Sequence, residues 1–153
     1  MTDKGELYRW AEAVRNEHGL TLDYFPFNAS KFLLSSDVQT WEPDVIGAYC
    51  MLLFNSWIRS PQCFLPKSEK YLQKFSKLSP HKWKKHRKEL LNKFEQEGDF
   101  IYNRRLFETF ENVVAIKLKA RIAGEIGAAA RWGKHNAEAK GSQSDANAIA
   151  KPI

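Results

Sequence analysis

A lysine-rich stretch between residues 79 and 94 carries the side chains best suited to chemistry, and that chemistry is the binding of an anion. At helical spacing its polar side combines four lysines and one asparagine, namely Lys82, Lys84, Lys85, Lys88 and Asn92. Lysine binds phosphate as a point charge, whereas bidentate recognition of base edges favours arginine, asparagine or glutamine. The residue types therefore predict DNA contacts made mainly to phosphates, with weak sequence specificity. The alternative is a lysine-rich helix face that is only solvated.

The element that positions these lysines is predicted to be an amphipathic helix. Ser79 is a good N-cap, and Pro80 suits the first helical position, where its missing N–H costs nothing. Trp83, Leu90 and Phe94 then recur at helical spacing and form an apolar stripe. A helix with one core side and one basic side is typical of the recognition helix in helix-turn-helix proteins.

The elements around this helix follow the order of a winged helix. An apolar helix begins near Trp41, a short strand includes Cys63-Phe64-Leu65, and a further helix begins after Ser68. A tight turn leads into the basic helix, and a β-hairpin with its turn at Gly98 follows. The predicted fold class is mainly α with a small β-hairpin: a winged helix-turn-helix with extra N- and C-terminal helices.

Charged residues beside the basic helix give mixed signals. Lys67, Lys70 and Arg104 are predicted to add contacts to the DNA backbone. The hairpin, in contrast, carries three acids that would repel phosphates, namely Glu95, Glu97 and Asp99. The predicted wing therefore either points away from DNA or meets a protein.

Three segments are predicted along the chain. Residues 1–23 form an N-terminal amphipathic helix, residues 24–126 form the winged-helix domain with its C-terminal helix, and residues 127–153 form a basic, disordered tail. In the tail, Arg131, Trp132 and Lys134 are candidates for contact with a partner or with nucleic acid. The other four tryptophans fit apolar helix faces and are predicted to lie in the core: Trp10, Trp41, Trp57 and Trp83.

Composition excludes several classes of protein. The net charge is +6, and between residues 67 and 93 ten basic residues stand against two acidic ones, which favours a polyanion partner. No nucleotide-binding, hydrolase or metal-binding motif is present, so we expect neither an enzyme nor a cofactor or metal. No apolar run is long enough to span a membrane. Cys50 and Cys63 lack CxxC spacing and indicate reduced, buried thiols of a cytoplasmic protein.

Four short pieces of the chain, taken in order, resemble the YdaU-like family of phage and prophage proteins. They are Phe25-Pro26-Phe27 followed by Phe32-Leu33; Gly47-Ala48-Tyr49 leading through Leu52-Leu53 to Trp57; Leu78-Ser79-Pro80 with Trp83, Arg87 and Phe94; and Asn103-Arg104-Arg105-Leu106. Together they cover roughly half of the chain. The predicted helix from Asp3 to His18 lies outside the family pattern.

The resemblance implies a winged-helix domain in a phage or prophage context, acting in the cytoplasm of a bacterial host. Relatives are often placed in replication modules near helicase-loading genes. The resemblance therefore implies DNA binding in replication initiation or its control, with a replication helicase, a loader or an initiator protein as a partner. It carries over no catalytic motif.

Two other functions are compatible with the same residues. The winged helix can serve as a protein-interaction adaptor, with the acidic wing, the first helix and the Trp132 tail as contacts. It can also serve as a transcriptional regulator that dimerises through its first or last helix, since recognition of a palindromic site needs a two-fold partner.

Overall fold

The protein is mainly helical, with one small antiparallel sheet. The computed structural model describes residues 3–20, 22 and 26–141, with side chains to residue 135. Over these residues the elements are α1 (Glu6–His18), α2 (Ala29–Leu33), α3 (Ser36–Thr40), α4 (Pro43–Ile58), β1 (Phe64–Pro66), α5 (Glu69–Ser76), α6 (Pro80–Leu91), β2 (Glu95–Glu97), β3 (Phe100–Tyr102) and α7 (Arg104–Gly141). The predicted helical class, short strand and hairpin are confirmed.

The sheet joins the hairpin to the strand that precedes the basic helix. Its order is β1-β3-β2, and β3 pairs antiparallel with both neighbours. Tyr102 lies opposite Phe64 on one side and opposite Glu95 on the other. Because β1 precedes α5 while β3 follows α6, this pairing closes the chain around the two helices.

An aromatic core lies against the sheet and includes side chains from α1. Tyr8 stacks on Phe100, with ring centroids 4.1 Å apart, and meets Phe64 edge-on at 5.2 Å. Phe64 in turn contacts Phe107 of α7, and Phe110 contacts Trp57 of α4. Helix α1 is therefore part of this core. The sequence pattern, in contrast, predicted residues 1–23 as a separate segment.

The prediction that Trp10 lies in the core is wrong. Trp10 is 39% exposed, and its ring makes T-shaped contacts with Phe107 and Phe110 at the margin of the core. The buried positions of α1 are Tyr8, Ala11 and Val14. The helix is therefore rotated so that Tyr8, which reaches the sheet, takes the place in the core that the apolar pattern assigned to Trp10.

Helix α7 runs through the boundary between two units of the chain, Met1–Val114 and Ala115–Ile153. Val114 is buried, whereas Ile116, Ile122 and Ile126 are each more than half exposed. The predicted boundary at residue 126 is therefore later than the end of the core. Residues 127–141, predicted as disordered tail, continue the helix, in keeping with the high helix propensity of an alanine-rich segment. Residues 142–153 of the predicted tail, and residues 23–25, lie outside the described residues.

The N-terminal segment covers the tip of the hairpin. The backbone N–H of Asp3 donates to Oδ2 of Asp99 at 2.6 Å, and the N–H of Asp99 donates to the carbonyl oxygen of Asp3 at 2.9 Å. Gly98, between the two strands, has a φ of +58°, and a Cβ there would lie 2.4 Å from the Asp3 carbonyl oxygen. The turn therefore requires glycine both for its backbone conformation and for the approach of Asp3.

Replacing Gly98 by alanine is expected to lower the free energy of unfolding by about 2 kcal/mol, because the left-handed conformation and the clash with Asp3 both oppose a side chain. Gly19 provides a matched control, since its φ is +62° but no atom of the described residues lies within 4 Å of the position that a Cβ would take there. Gly19→Ala is expected to cost only about 1 kcal/mol. Urea denaturation measures both, and equal losses would show that Asp3 does not hold the hairpin tip.

Candidate nucleic-acid interface

Helices α5 and α6 are joined by a tight turn that begins at Lys77, in the left-handed conformation with a φ of +65°. Leu78 is buried in the turn, and the Ser79 side chain accepts a hydrogen bond from the backbone N–H of Lys82 at 3.3 Å. The predicted N-cap is therefore confirmed. Trp83 and Leu90 face the core, which leaves the other side of α6 toward solvent.

The carboxylate of Glu69 clamps α6 to α5. It accepts hydrogen bonds from Nε of Arg87 at 2.9 Å and from the indole N–H of Trp83 at 2.7 Å. These two donors, the guanidinium first, lower the pKa of Glu69. Because Trp83 and Arg87 are one helical turn apart, the clamp sets both the position and the rotation of α6.

Several basic side chains near α6 already have acidic partners within the chain. Lys82 forms an ion pair with Asp44 at 3.0 Å, and its hydrogen bond lowers the pKa of that carboxyl. Lys93 pairs with Asp37. The predicted DNA contact at Lys82 therefore lies on the flank of α6 that faces α4, where its charge is balanced locally.

The remaining predicted residues of α6 form one exposed strip, which we call the basic face: Lys84, Lys85, Lys88 and Asn92. None of its three lysines has an ion-pair partner among the residues that the structure describes. A shallow depression along it is lined by Lys85, His86, Lys88, Glu89 and Asn92, and Oε1 of Glu89 lies 2.7 Å from Nδ1 of His86. The basic face therefore presents three lysines without an ion-pair partner in the described part of the chain, beside one exposed acid, Glu89.

The predicted contacts outside α6 differ in their surroundings. Lys70 is exposed on α5. Nζ of Lys67 donates to Oε1 of Gln96 on the hairpin at 2.9 Å. The guanidinium of Arg104 donates two hydrogen bonds to the carboxylate of Glu95, at 2.8 and 3.1 Å. Its charge is thus balanced by the first acid of the hairpin.

Two acids of the hairpin, Glu95 and Asp99, form hydrogen bonds within their own chain, and the third, Glu97, lies against the N-terminal segment. Glu95 also accepts a hydrogen bond from the Tyr102 hydroxyl at 2.7 Å, and Arg104, followed by Tyr102, lowers the pKa of Glu95. A Cβ on Gly5 would lie 2.0 Å from Oε1 of Glu97, and Asp99 binds Asp3. The acidic hairpin is therefore occupied by α7 and the N-terminal segment.

The candidates predicted in the tail all lie on the later part of α7. Arg131, Trp132 and Lys134 are exposed, and Trp132 retains 46% of its accessible surface. They belong to the second unit of the chain, whereas the basic face belongs to the first.

Other kinds of site find little support in the described residues. No group of three or more His, Cys, Asp or Glu side chains among them is arranged to hold a metal ion. Burial raises the pKa of the Cys63 thiol, which opposes formation of a nucleophilic thiolate. Within the same residues, no helix has the length and apolar character needed to cross a membrane.

Asn103 is a buried residue whose role sequence reasoning missed. Its amide nitrogen donates to the Tyr49 hydroxyl at 2.9 Å and to the Lys93 carbonyl oxygen at 3.0 Å, and its oxygen accepts from the Leu106 N–H at 3.0 Å. An asparagine directly before a helix signals an N-cap, and the last of these bonds is that cap. The two donated bonds join distant elements and leave no local signal.

Comparison with known proteins identifies no relative of this chain. No family model matches the chain, and neither does a curated protein or a solved structure. The description of class accordingly stays at a mainly helical protein with a three-stranded antiparallel sheet and an exposed basic helix face.

Proposed function

We propose that residues 43–102 form a winged helix-turn-helix that binds double-stranded DNA through the basic face of α6. The order of elements supports this proposal, because α4, β1, α5, α6, β2 and β3 follow one another as in that class. The sheet order β1-β3-β2 places the hairpin beside the helix pair. In helix-turn-helix proteins the second helix of the pair lies in the major groove.

The observation that carries the proposal is the sorting of charge on α6. Lys82 and Arg87, which lie toward other elements, have acidic partners, whereas Lys84, Lys85 and Lys88 have none among the described residues. Surface lysines that only promote solubility need no such separation. A cluster of unpaired cations on one face of a helix is the electrostatic footprint expected for a polyanion.

The composition of the basic face indicates how it binds. Three lysines favour phosphate oxygens, and Asn92 alone offers paired donor and acceptor groups for a base edge. Binding is therefore tight at low salt and weakly dependent on sequence. Together with the resemblance to a phage and prophage family, this favours a role in replication initiation or its control in a bacterial cytoplasm, beside a helicase, loader or initiator.

Fluorescence anisotropy of a labelled duplex, titrated at several salt concentrations, tests the proposal. The logarithm of the binding constant is expected to fall linearly with the logarithm of salt, with a slope that corresponds to about three to five phosphates. Duplexes of unrelated sequence are expected to bind within a few-fold of one another. Absence of binding at low salt, where the attraction is strongest, would overturn it.

A second candidate function, a protein-interaction adaptor, is favoured by the surface of α7 after residue 115. Leu118, Ile122 and Ile126 recur every four residues on one side of this helix, and the two isoleucines are 55% and 64% exposed. An apolar stripe at this spacing is the usual means by which one helix docks in the groove of a partner.

The adaptor function is tested by capture of a purified replicative helicase or its loader. The variant Ile122→Asp/Ile126→Asp is expected to lose the partner and retain duplex binding, whereas charge reversal on the basic face is expected to do the opposite. Partner capture that survives the α7 variant would exclude this surface as the contact.

A further inference from the structure

A second concave site lies between α2, α4 and the first turns of α7, outside the basic face. The groove has a volume of about 360 Å³, and its lining includes Phe27, Phe32, Tyr49, Lys31, Arg105 and Asn112. This volume falls in the range of sites that bind small organic ligands. All these residues belong to the first unit of the chain.

Aromatic rings form one wall of the groove. Phe32 lies nearly parallel to Tyr49, with an interplanar angle of 7° and ring centroids 6.1 Å apart. Phe27 is tilted toward Phe32 at 5.2 Å and keeps 46% of its surface exposed. Partly exposed aromatic faces that line a groove are what proteins use to stack unpaired bases, since every base has a π-face.

The rim of the groove adds charge and polar groups. Lys31 and Arg105 are exposed, and neither has an ion-pair partner among the described residues. Glu108 lies at the same rim and leaves one net positive charge. Asn112 is exposed beside them and offers an amide for a base edge. The combination of ring faces, an amide and excess cations matches one nucleotide, with its base on the rings and its phosphate at the rim.

The groove is connected to the end of the basic helix. The Tyr49 hydroxyl accepts the Asn103 amide, and the same amide donates to the carbonyl oxygen of Lys93, two residues after α6. Tyr49 also meets Phe94 edge-on at 6.2 Å. These contacts place the groove next to the C-terminal end of α6, the helix that carries the basic face.

We propose that the groove binds an unpaired nucleotide of a DNA strand, so that the protein recognises a junction between duplex and single strand. The inference rests on the proposed duplex binding by the basic face and adds a second contact to it. A duplex with a single-stranded extension occupies both sites, whereas a flush duplex occupies only the first.

Three DNAs that share one duplex test the proposal: a flush duplex, the same duplex with three-nucleotide overhangs, and a copy whose overhangs are abasic. Anisotropy is expected to show about tenfold tighter binding of the overhang DNA than of the flush DNA, in keeping with the contribution of one stacked base. The abasic copy keeps the added phosphates and is expected to bind like the flush DNA. Equal binding of the intact and abasic overhangs would overturn the proposal.

The variant Phe32→Leu keeps an apolar side chain and removes the ring. It is expected to abolish the preference for overhangs and to leave flush binding unchanged. Phe54→Leu is the matched control, because Phe54 is 45% exposed on α4 and does not line the groove; it is expected to keep the preference. An equal fall in flush and overhang binding for Phe32→Leu would contradict a base site.

Two further measurements separate the possible failures. A free mononucleotide, added at the concentration at which overhang DNA saturates the protein, is expected not to displace that DNA. Displacement would assign the groove to a soluble nucleotide and overturn the proposal of a DNA strand. A different result would separate the two proposals: the protein binds overhang DNA, Phe32→Leu abolishes that binding, and flush duplex does not bind even at low salt. This result would support the groove as a nucleotide site and would overturn duplex binding by the basic face. Absence of binding to both DNAs would overturn both.

Discussion

The variant Lys85→Glu/Lys88→Glu is expected to weaken binding to a flush duplex by at least about 100-fold at low salt. Each lysine that meets a phosphate releases a counterion, so the loss of two such contacts lowers the magnitude of the log–log salt slope by about 1.8. The two glutamates add repulsion from the same phosphates. Both lysines are exposed on the basic face and have no ion-pair partner in the described part of the chain, so the fold is expected to be unaffected.

A change of net charge by itself must be separated from the loss of the basic face. Lys117→Glu/Lys119→Glu alters the net charge by the same amount on exposed positions of α7. This control is expected to reduce affinity only a few-fold and to leave the slope nearly unchanged, since neither lysine belongs to the basic face that is proposed to contact phosphates. Equal losses for the two variants would show that duplex DNA does not contact α6 specifically.

The position of α6 could be predicted because its signals are local. The Ser79-Pro80 start and the stripe through Trp83 and Leu90 are determined by neighbouring residues, and the structure has this helix over Pro80–Leu91. The hairpin was equally accessible, since Gly98 stands between two short segments suited to strands. Such features depend on capping, spacing and turn chemistry, which a sequence displays directly.

Which lysines of α6 have an acidic partner and which have none could not be predicted, because the pairing depends on tertiary contacts. Lys82 and Lys84 have the same side chain and lie two residues apart, yet only Lys82 meets Asp44, which lies at the start of α4. The rotation of α1 is a similar case, since Tyr8 replaced Trp10 in the core by stacking on Phe100. Neither pairing leaves a trace in the local pattern.

The aromatic groove could not be predicted from the sequence for the same reason, since it too depends on tertiary contacts. Its walls come from α2, α4 and α7, and the sequence separation between Phe32 and Arg105 gives no period or motif. The pieces that carried the family resemblance include Phe32, Tyr49 and Arg105, but as separate fragments. Only the fold brings them to one site, and only there do their chemistries combine.

Asn103 is the residue on which the connection between these two sites depends. Its side chain is 5% exposed, and its three hydrogen bonds reach α4 through the Tyr49 hydroxyl, the segment after α6 through the Lys93 carbonyl, and the first turn of α7 through the Leu106 N–H. Burial raises the pKa of Tyr49, which keeps its hydroxyl neutral as a partner for the amide. No apolar side chain can satisfy these groups.

The variant Asn103→Ala is expected to lower the free energy of unfolding by about 3 kcal/mol. Loss of the N-cap costs about 1 kcal/mol, and the buried carbonyl and hydroxyl left without a donor cost about 1 kcal/mol or more each. Chemical denaturation monitored by circular dichroism measures this loss. At temperatures where the variant is folded, the preference for overhang DNA is expected to fall more than flush binding, because the variant removes the N-cap of the first turn of α7, which carries Arg105 at the rim of the groove.

Tyr49→Phe provides the matched comparison, since it removes one partner of Asn103 and keeps the ring that faces Phe32. It is expected to cost about 1 kcal/mol and to retain the preference for overhangs. The double variant is expected to lose less free energy of unfolding than the sum of the two single losses, because both substitutions remove the same hydrogen bond. An Asn103→Ala loss no larger than that of Tyr49→Phe would mean that the Lys93 and Leu106 bonds contribute nothing. In that case apolar packing, such as that of Tyr49 on Phe94, would suffice to join the groove to the end of α6.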